Sequence, residues 1–244
     1  GAEKRKMLLH ICTQMGISPK QTIAMGDGDD TVTITAAITS STASVTGGNG
    51  TDTLVISDTL AGDTLDTSSV FNSKVSGFER LQITALGGNK SVDLTGINNV
   101  SYVKTAGVTG LSLENMASNG TLELTATSTS TTVNIAGAVG GTADVLNVIT
   151  SGNVGSVVAY GTVTAPNVET INITANDNGT TATTAAAINT LTLAATAAKS
   201  VVVTGNNGLT LGNGGNTAIT SFDASGVVGN DPLSGATVND TAAN

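Results

Sequence analysis

Two stretches of this chain place acidic side chains on a glycine-rich bend just ahead of an alternating apolar run. The first reads Gly26-Asp27-Gly28-Asp29-Asp30-Thr31-Val32-Thr33-Ile34, the second Gly47-Gly48-Asn49-Gly50-Thr51-Asp52-Thr53-Leu54-Val55. Glycines at alternate positions let the backbone curl tightly and turn its carbonyls inward, because only glycine takes positive φ without a steric penalty. The aspartate closing each bend adds carboxylate oxygen. Oxygen-only donors on a tight acidic turn suit a hard cation, and Ca²⁺ is the expected occupant outside the cell. Asp30 and Asp52 stand 22 residues apart. If one circuit of chain takes that length, the bends stack at a strand spacing of roughly 4.8 Å and share an ion. The expected ligand set is Gly26, Asp27, Gly28, Asp29 and Asp30 from the first bend, with Gly48, Asn49, Gly50 and Asp52 from the second.

Looser copies add Asp63, in Gly62-Asp63-Thr64-Leu65-Asp66, and Asp144, in Gly140-Gly141-Thr142-Ala143-Asp144. Each of these aspartates either joins a calcium site or caps backbone N–H groups in an ordinary Asp turn. Glu79 and Glu169 recur at equivalent places in a repeated phrase, which fits a capping role as well as a site. His10, the single histidine, has no metal-ligating partner at useful spacing and is read as a surface or packing residue.

The elements that must carry these bends are short strands. Alternating runs recur along the chain: Thr31 to Ile34, Thr53 to Ile56, Leu81 to Ile83, Ser91 to Leu94, Leu111 to Leu113 and Thr121 to Leu124. They continue at Thr132 to Ile135, Val145 to Val148, Ile171 to Ile173, Leu191 to Leu193 and Leu209 to Leu211, with Gly- and Asn-bearing turns between them. The phrase Phe78-Glu79-Arg80-Leu81-Gln82-Ile83 is echoed by Asn167-Val168-Glu169-Thr170-Ile171-Asn172-Ile173. Lys90-Ser91-Val92-Asp93-Leu94-Thr95-Gly96 is echoed by Lys199-Ser200-Val201-Val202-Val203-Thr204-Gly205. Irregular repeats of one strand-turn unit predict an all-β solenoid, with a β-sandwich as the alternative.

Composition agrees. Aromatics make up 2% of the chain, tryptophan is absent and proline occurs three times, so the apolar content rests on small and branched aliphatic residues. Such residues suit a narrow interior in which each layer resembles the next. The formal net charge is −9, and from Gly26 onward 17 acids stand against 5 bases. A surface of that sign repels phosphates and anionic lipid, so neither nucleic acid nor membrane insertion is expected. Cys12 is the single cysteine, which excludes a disulfide framework within the chain. No run approaches the roughly 18 apolar residues of a membrane span.

Residues 1–25 read differently from 26–244. Met7, Leu8, Ile11, Cys12 and Met15 fall at helical spacing and predict an amphipathic helix, closed by Gly16, before a strand over Gln21 to Met25. Helix, loop, strand and Gly-Asp-Gly over residues 2–28 resemble the last catalytic segment of haloacid-dehalogenase-type phosphatases, in particular phosphoserine phosphatases. Asp27-Gly28-Asp29-Asp30-Thr31 also fits that family's D-x-D-x-T nucleophile motif. No βα pattern follows to supply the rest of such a centre, so the chain is not expected to be an enzyme. The segment is read as a junction between a phosphatase-like piece and a repeat protein.

Residues 26–244 resemble bacterial S-layer and related RTX-type surface proteins. Gly47 to Val55 fits the nine-residue G-G-x-G-x-D-x-U-x repeat at every specified position, and the first bend fits it except for Met25 in place of the leading glycine. "SGFERLQIT", "NVETINIT" and "SFDASG" carry the rest of the likeness. The resemblance implies a right-handed parallel β-solenoid, calcium-dependent folding outside the cell, type I secretion and assembly of identical copies into a surface lattice. Anchoring to a cell-surface polysaccharide would pass through regions outside this chain. An RTX-type adhesin or spacer module is the alternative. Asn239 to Asn244 show no clear secretion signal, so the chain is expected to be a piece that stops short of one.

Overall fold

The computed structural model describes residues 8–11, 22–24, 27–35, 44–57, 73–84, 88–97, 100–152, 157–177, 188–228 and 238–240. Within them the protein is nearly all strand, and every ladder between strands is parallel.

Ten strands form one sheet: β1 (Leu8–Ile11), β3 (Thr31–Ile34), β5 (Thr53–Ile56), β7 (Arg80–Ile83), β9 (Tyr102–Thr105), β11 (Gly120–Leu124), β13 (Val145–Gly152), β15 (Thr170–Asp177), β17 (Ser200–Gly205) and β19 (Ser221–Val227). Three intervening strands, β2 (Thr22–Ala24), β4 (Ser44–Thr46) and β6 (Val75–Ser76), form a small second sheet. From there on the intervening strands build a seven-stranded sheet: β8 (Asn89–Asp93), β10 (Gly110–Met116), β12 (Ser130–Ile135), β14 (Ala159–Thr164), β16 (Asn189–Ala194), β18 (Leu209–Asn213) and β20 (Val238–Asp240). The chain thus visits the large sheet at every odd strand, and within each sheet a strand bonds to the second one before or after it in the chain, with a break between β6 and β8. A Greek-key sandwich would show antiparallel ladders instead. Hydrogen bonds across the large sheet join residues from 20 apart, at Thr105 and Thr125, to 31 apart, at Ile173 and Thr204.

Alternation decides which side chains turn inward. Strand β3 reads half-buried, buried, half-buried, buried, and Val32 and Ile34 are its buried teeth. Through the register, Val32 stacks on Leu54, then Leu81, Val103, Leu122, Val148, Ile173 and Val203. All eight are at most 1% exposed. Parallel in-register pairing puts like on like, so one apolar position repeated in the sequence becomes a continuous apolar column. Burying each such side chain contributes about 1.5–3 kcal/mol. Phe78 and Tyr160 are the largest fully buried side chains. At the far edge, Phe222 takes the register position beside Val201 but remains 38% exposed.

One expectation is overturned. Leu8–Ile11 lie in a strand, where the spacing of Met7, Leu8, Ile11, Cys12 and Met15 predicts a helix. Leu9 and Ile11 take register positions beside Val32 and Ile34. A helix of this length is marginal in isolation, whereas β3 offers a parallel hydrogen-bond ladder. The strand expected over Gln21 to Met25 is present as Thr22–Ala24, paired with β4. The rest of residues 1–25 lies outside the described residues. Ser91 to Leu94 is strand only to Asp93, which accepts the Thr95 N–H and starts a single 3₁₀ turn, Leu94–Gly96.

Replacing Leu81 by Ala removes one tooth between Leu54 and Val103 and leaves a cavity that neighbouring rows cannot close. A loss of about 2–5 kcal/mol of unfolding free energy is expected, read from chemical denaturation followed by circular dichroism.

Candidate functional site

The two glycine-rich bends lie side by side, in the register that their spacing predicts. Asp27 bridges to Asn49, and Gly28 N–H donates to the Asn49 carbonyl at 2.8 Å. Three further contacts cross between residues 22 apart. Asn49 Nδ2 donates to Asp27 Oδ1 at 3.2 Å, Thr51 N–H to Asp29 Oδ1 at 3.0 Å, and Asp30 N–H to Asp52 Oδ1 at 2.8 Å. Thr53 N–H then closes on the Asp30 carbonyl at 2.8 Å, which opens the β3–β5 ladder. Gly50 must be glycine here: its φ is +137°, and a Cβ would strike the Gly28 carbonyl.

Asp27 and Asp29 are exposed, as are Gly48, Asn49 and Gly50, whereas Asp30 and Asp52 are buried. Asp52 is 0% exposed, and its Oδ2 has no hydrogen-bond partner. Burial pushes its carboxyl above the usual aspartate range. The bond from Asp30 N–H pulls it back down, and the charges of Glu79, Asp30 and Asp29 push it up again. A buried carboxylate oxygen without a donor is costly, so this atom marks a place where something of opposite charge would be stabilising.

The next row adds Glu79. Its Oε2 accepts the Asp52 N–H at 2.8 Å, while Glu79 N–H and Arg80 N–H both point to the Asp52 carbonyl, at 3.2 and 3.0 Å. Arg80 itself turns away to stack over the Tyr102 ring, 4.8 Å from its centroid. The same arrangement recurs at Asp144. There Glu169 Oε2 accepts the Asp144 N–H at 2.9 Å, and Glu169 and Thr170 N–H groups point to the Asp144 carbonyl at 3.2 and 3.0 Å. Glu79 and Glu169 therefore cap backbone N–H groups of the preceding row, one of the two roles that their repeated placement predicts.

The structure thus brings together Asp27, Gly28, Asp29 and Asp30 with Asn49, Gly50 and Asp52. Asp144 stands apart, at the entrance to β13 rather than β5. Gly26 and Asp63 lie outside the described residues. Among the described residues no three carboxylate, thiol or imidazole groups converge into a ready-made metal cluster, so any cation here would draw on backbone carbonyls as well. Glu79 sits outside the glycine pattern, and its recurrence in a repeated phrase is the sequence signal for the capping role that the structure shows.

Two other polar features lie elsewhere. Glu123 is 8% exposed, accepts hydrogen bonds from Tyr102 Oη and Ser151 Oγ, and pairs with Lys104 at 3.3 Å, which closes it to outside ligands. A shallow groove of about 380 Å³ crosses the seven-stranded sheet between Asn89, Ser91, Gly110, Ser112, Ser130 and Thr132. No helix among the described residues is long and apolar enough to cross a membrane.

No family model matches this chain. A stretch of 28 residues is 75% identical to the phosphoserine phosphatase of Polaromonas sp. (strain JS666 / ATCC BAA-500), and 71% identical to that of Albidiferax ferrireducens (strain ATCC BAA-621 / DSM 15236 / T118). Each match covers 12% of this chain and 12% of the phosphatase. The likeness bears out the short phosphatase-like fragment expected in the sequence and extends to none of the rest.

Gly50→Ala tests the stacking of the bends. The added methyl meets both a strained φ and the Gly28 carbonyl, so a loss of about 1–3 kcal/mol is expected, measured as a shift in the denaturation midpoint.

Proposed function

We propose that this chain is a structural component of a bacterial surface layer, a right-handed parallel β-solenoid that Ca²⁺ stabilises outside the cell and that assembles with further copies of itself. The observation that carries this reading is the in-register stacking of two acidic glycine bends, together with the buried, unpartnered Oδ2 of Asp52 at the second of them. The odd and even strands of one chain, laddered in parallel between separate sheets, support the solenoid.

Calcium at this place would neutralise the clustered carboxylates between rows. Asp52 and Asp30 would hold it, with Asp27, Asp29 and Asn49 at the rim and glycine carbonyls, Gly28, Gly48 and Gly50 among them, supplying the remaining oxygens. Asp144 would take a second, more open position. Free calcium at a hundredfold excess over the dissociation constant stabilises by about 2.7 kcal/mol per site. Folding tied to an ion scarce in cytosol and abundant outside would keep the chain export-competent until secreted. The partners are then identical copies in a lattice and, through regions outside this chain, a cell-surface polysaccharide.

An RTX-type adhesin or spacer module is the second reading. The polar groove on the seven-stranded sheet favours it, because adhesins display such surfaces from the same scaffold. A phosphatase is a remote third, resting on the 28-residue likeness alone. Asp27 and Asp29 of the D-x-D-x-T match are engaged by Asn49 and Thr51 of the neighbouring bend.

A calcium titration followed by circular dichroism and light scattering separates these readings. The surface-layer reading expects a gain of β signal followed by growth of large ordered particles. A gain without growth favours the adhesin or spacer, and no response to millimolar calcium defeats the calcium reading. Phosphate release from phosphoserine would revive the enzyme.

A further inference from the structure

We infer that Glu79, which lies outside the glycine pattern, completes a cation cage with Asp52 Oδ2 and the Gly77 carbonyl, so that the ion sits between the second bend and the row after it. This rests on the calcium reading above and moves its centre one row onward. Between the two bends themselves, Asp27, Asp29 and Asp52 Oδ1 already accept hydrogen bonds from the facing bend. The free acceptor points the other way.

The cage is defined by what surrounds Gly47. A Cβ on that residue would strike the Gly77 carbonyl oxygen and lie 2.7 Å from Asp52 Oδ2, so both oxygens converge on the same small volume. Gly47, lacking a Cβ, is what allows both oxygens to lie this close to its backbone. Asp52 Oδ2 is fully buried and without a donor. Glu79 approaches from the following row, tethered by its Oε2 to the Asp52 N–H, and its Oε1 makes no hydrogen bond among the described residues. Two carboxylates and a carbonyl, all hard oxygen donors, thus lie on two adjacent rows around Asp52, with no lysine or arginine among the described residues paired to either acid. The donor chemistry is that of Ca²⁺, which takes carboxylate and backbone oxygens in a flexible shell.

Part of this arrangement recurs at Asp144, where the nearby carbonyl is that of Ala138 in the same turn and already accepts the Gly141 N–H. At Gly141 a Cβ would strike Asp144 Oδ2 and lie 3.3 Å from the Ala138 carbonyl, while Glu169 holds the Asp144 N–H as Glu79 holds that of Asp52. Asp144 is only half-buried and leaves no orphaned oxygen, so this second copy is the weaker of the two.

The test is calorimetric titration of the full chain with Ca²⁺, comparing the native protein with Glu79→Gln. The amide oxygen of glutamine still accepts the Asp52 N–H, so the cap survives and only the charge is removed. An affinity about 10- to 100-fold weaker at the tightest site is expected, with the circular dichroism spectrum unchanged. Asp52→Asn, which keeps the acceptor for Asp30 N–H, is expected to lose the same site, and Asp29→Asn to retain it. Native-like binding by Glu79→Gln overturns the proposal and leaves the calcium reading standing. Loss of binding in Asp29→Asn but not in Glu79→Gln returns the ion to the gap between the bends. No binding by the native chain defeats the calcium reading itself.

Discussion

Each row of this protein is stable only because a nearly identical row lies against it. The backbone groups of β5 are satisfied by β3 on one side and β7 on the other, strands whose register partners lie 22 and 27 residues away in the chain. The side chains obey the same rule, since Leu54 is buried by Val32 and Leu81 in the equivalent positions above and below. Hydrogen bonding and apolar burial therefore demand the same register. A slip by one residue would turn every tooth of a strand to the solvent face and break the column along its whole length. This coupling explains how an interior with so few aromatic side chains holds together: no single contact is large, but every contact is repeated.

Acidic side chains guard the entrances to several of these rows. A parallel ladder leaves N–H groups at the strand entrance without a ladder partner, and carboxylates from the following row supply one. Asp52 does this for Asp30, Glu79 for Asp52 and Glu169 for Asp144. Hydrogen bonds to a charged acceptor are worth more than neutral ones, but stacking the caps places like charges one strand apart, where they repel. Asp52, the most buried of them, carries that conflict most strongly. The same feature that satisfies the backbone thus concentrates negative charge along one edge of the sheet.

Much of this could be read from residue order. The alternating runs at Thr31, Thr53, Leu111, Thr121 and Thr132 are all strands, and the spacing of Asp30 and Asp52 gave the register of their bends. The strands that alternation did not single out, such as Tyr102–Thr105 and Ala159–Thr164, are short or interrupted by polar and small residues. They are strands because a neighbouring row offers a ladder, which local sequence cannot reveal. Leu8–Ile11 is the sharpest case, for its spacing favours a helix and the parallel ladder with β3 decides otherwise. At the site, glycine pattern and aspartate spacing identified the bends. The contribution of Glu79 emerged only once β7 was laid beside β5, because its relation to Asp52 spans 27 residues of sequence.

The unequal spacing of successive strands in the large sheet, from 19 residues between Val103 and Leu122 to 30 between Ile173 and Val203, has a consequence for how such a chain can vary. Residues added between strands cost little, because loop-closure entropy grows only slowly with length, while the buried teeth keep their register. Connecting segments can therefore be lengthened, recoloured in charge or exchanged without reopening the interior. The scaffold separates what must be conserved for folding from what is free to diversify toward the outside world.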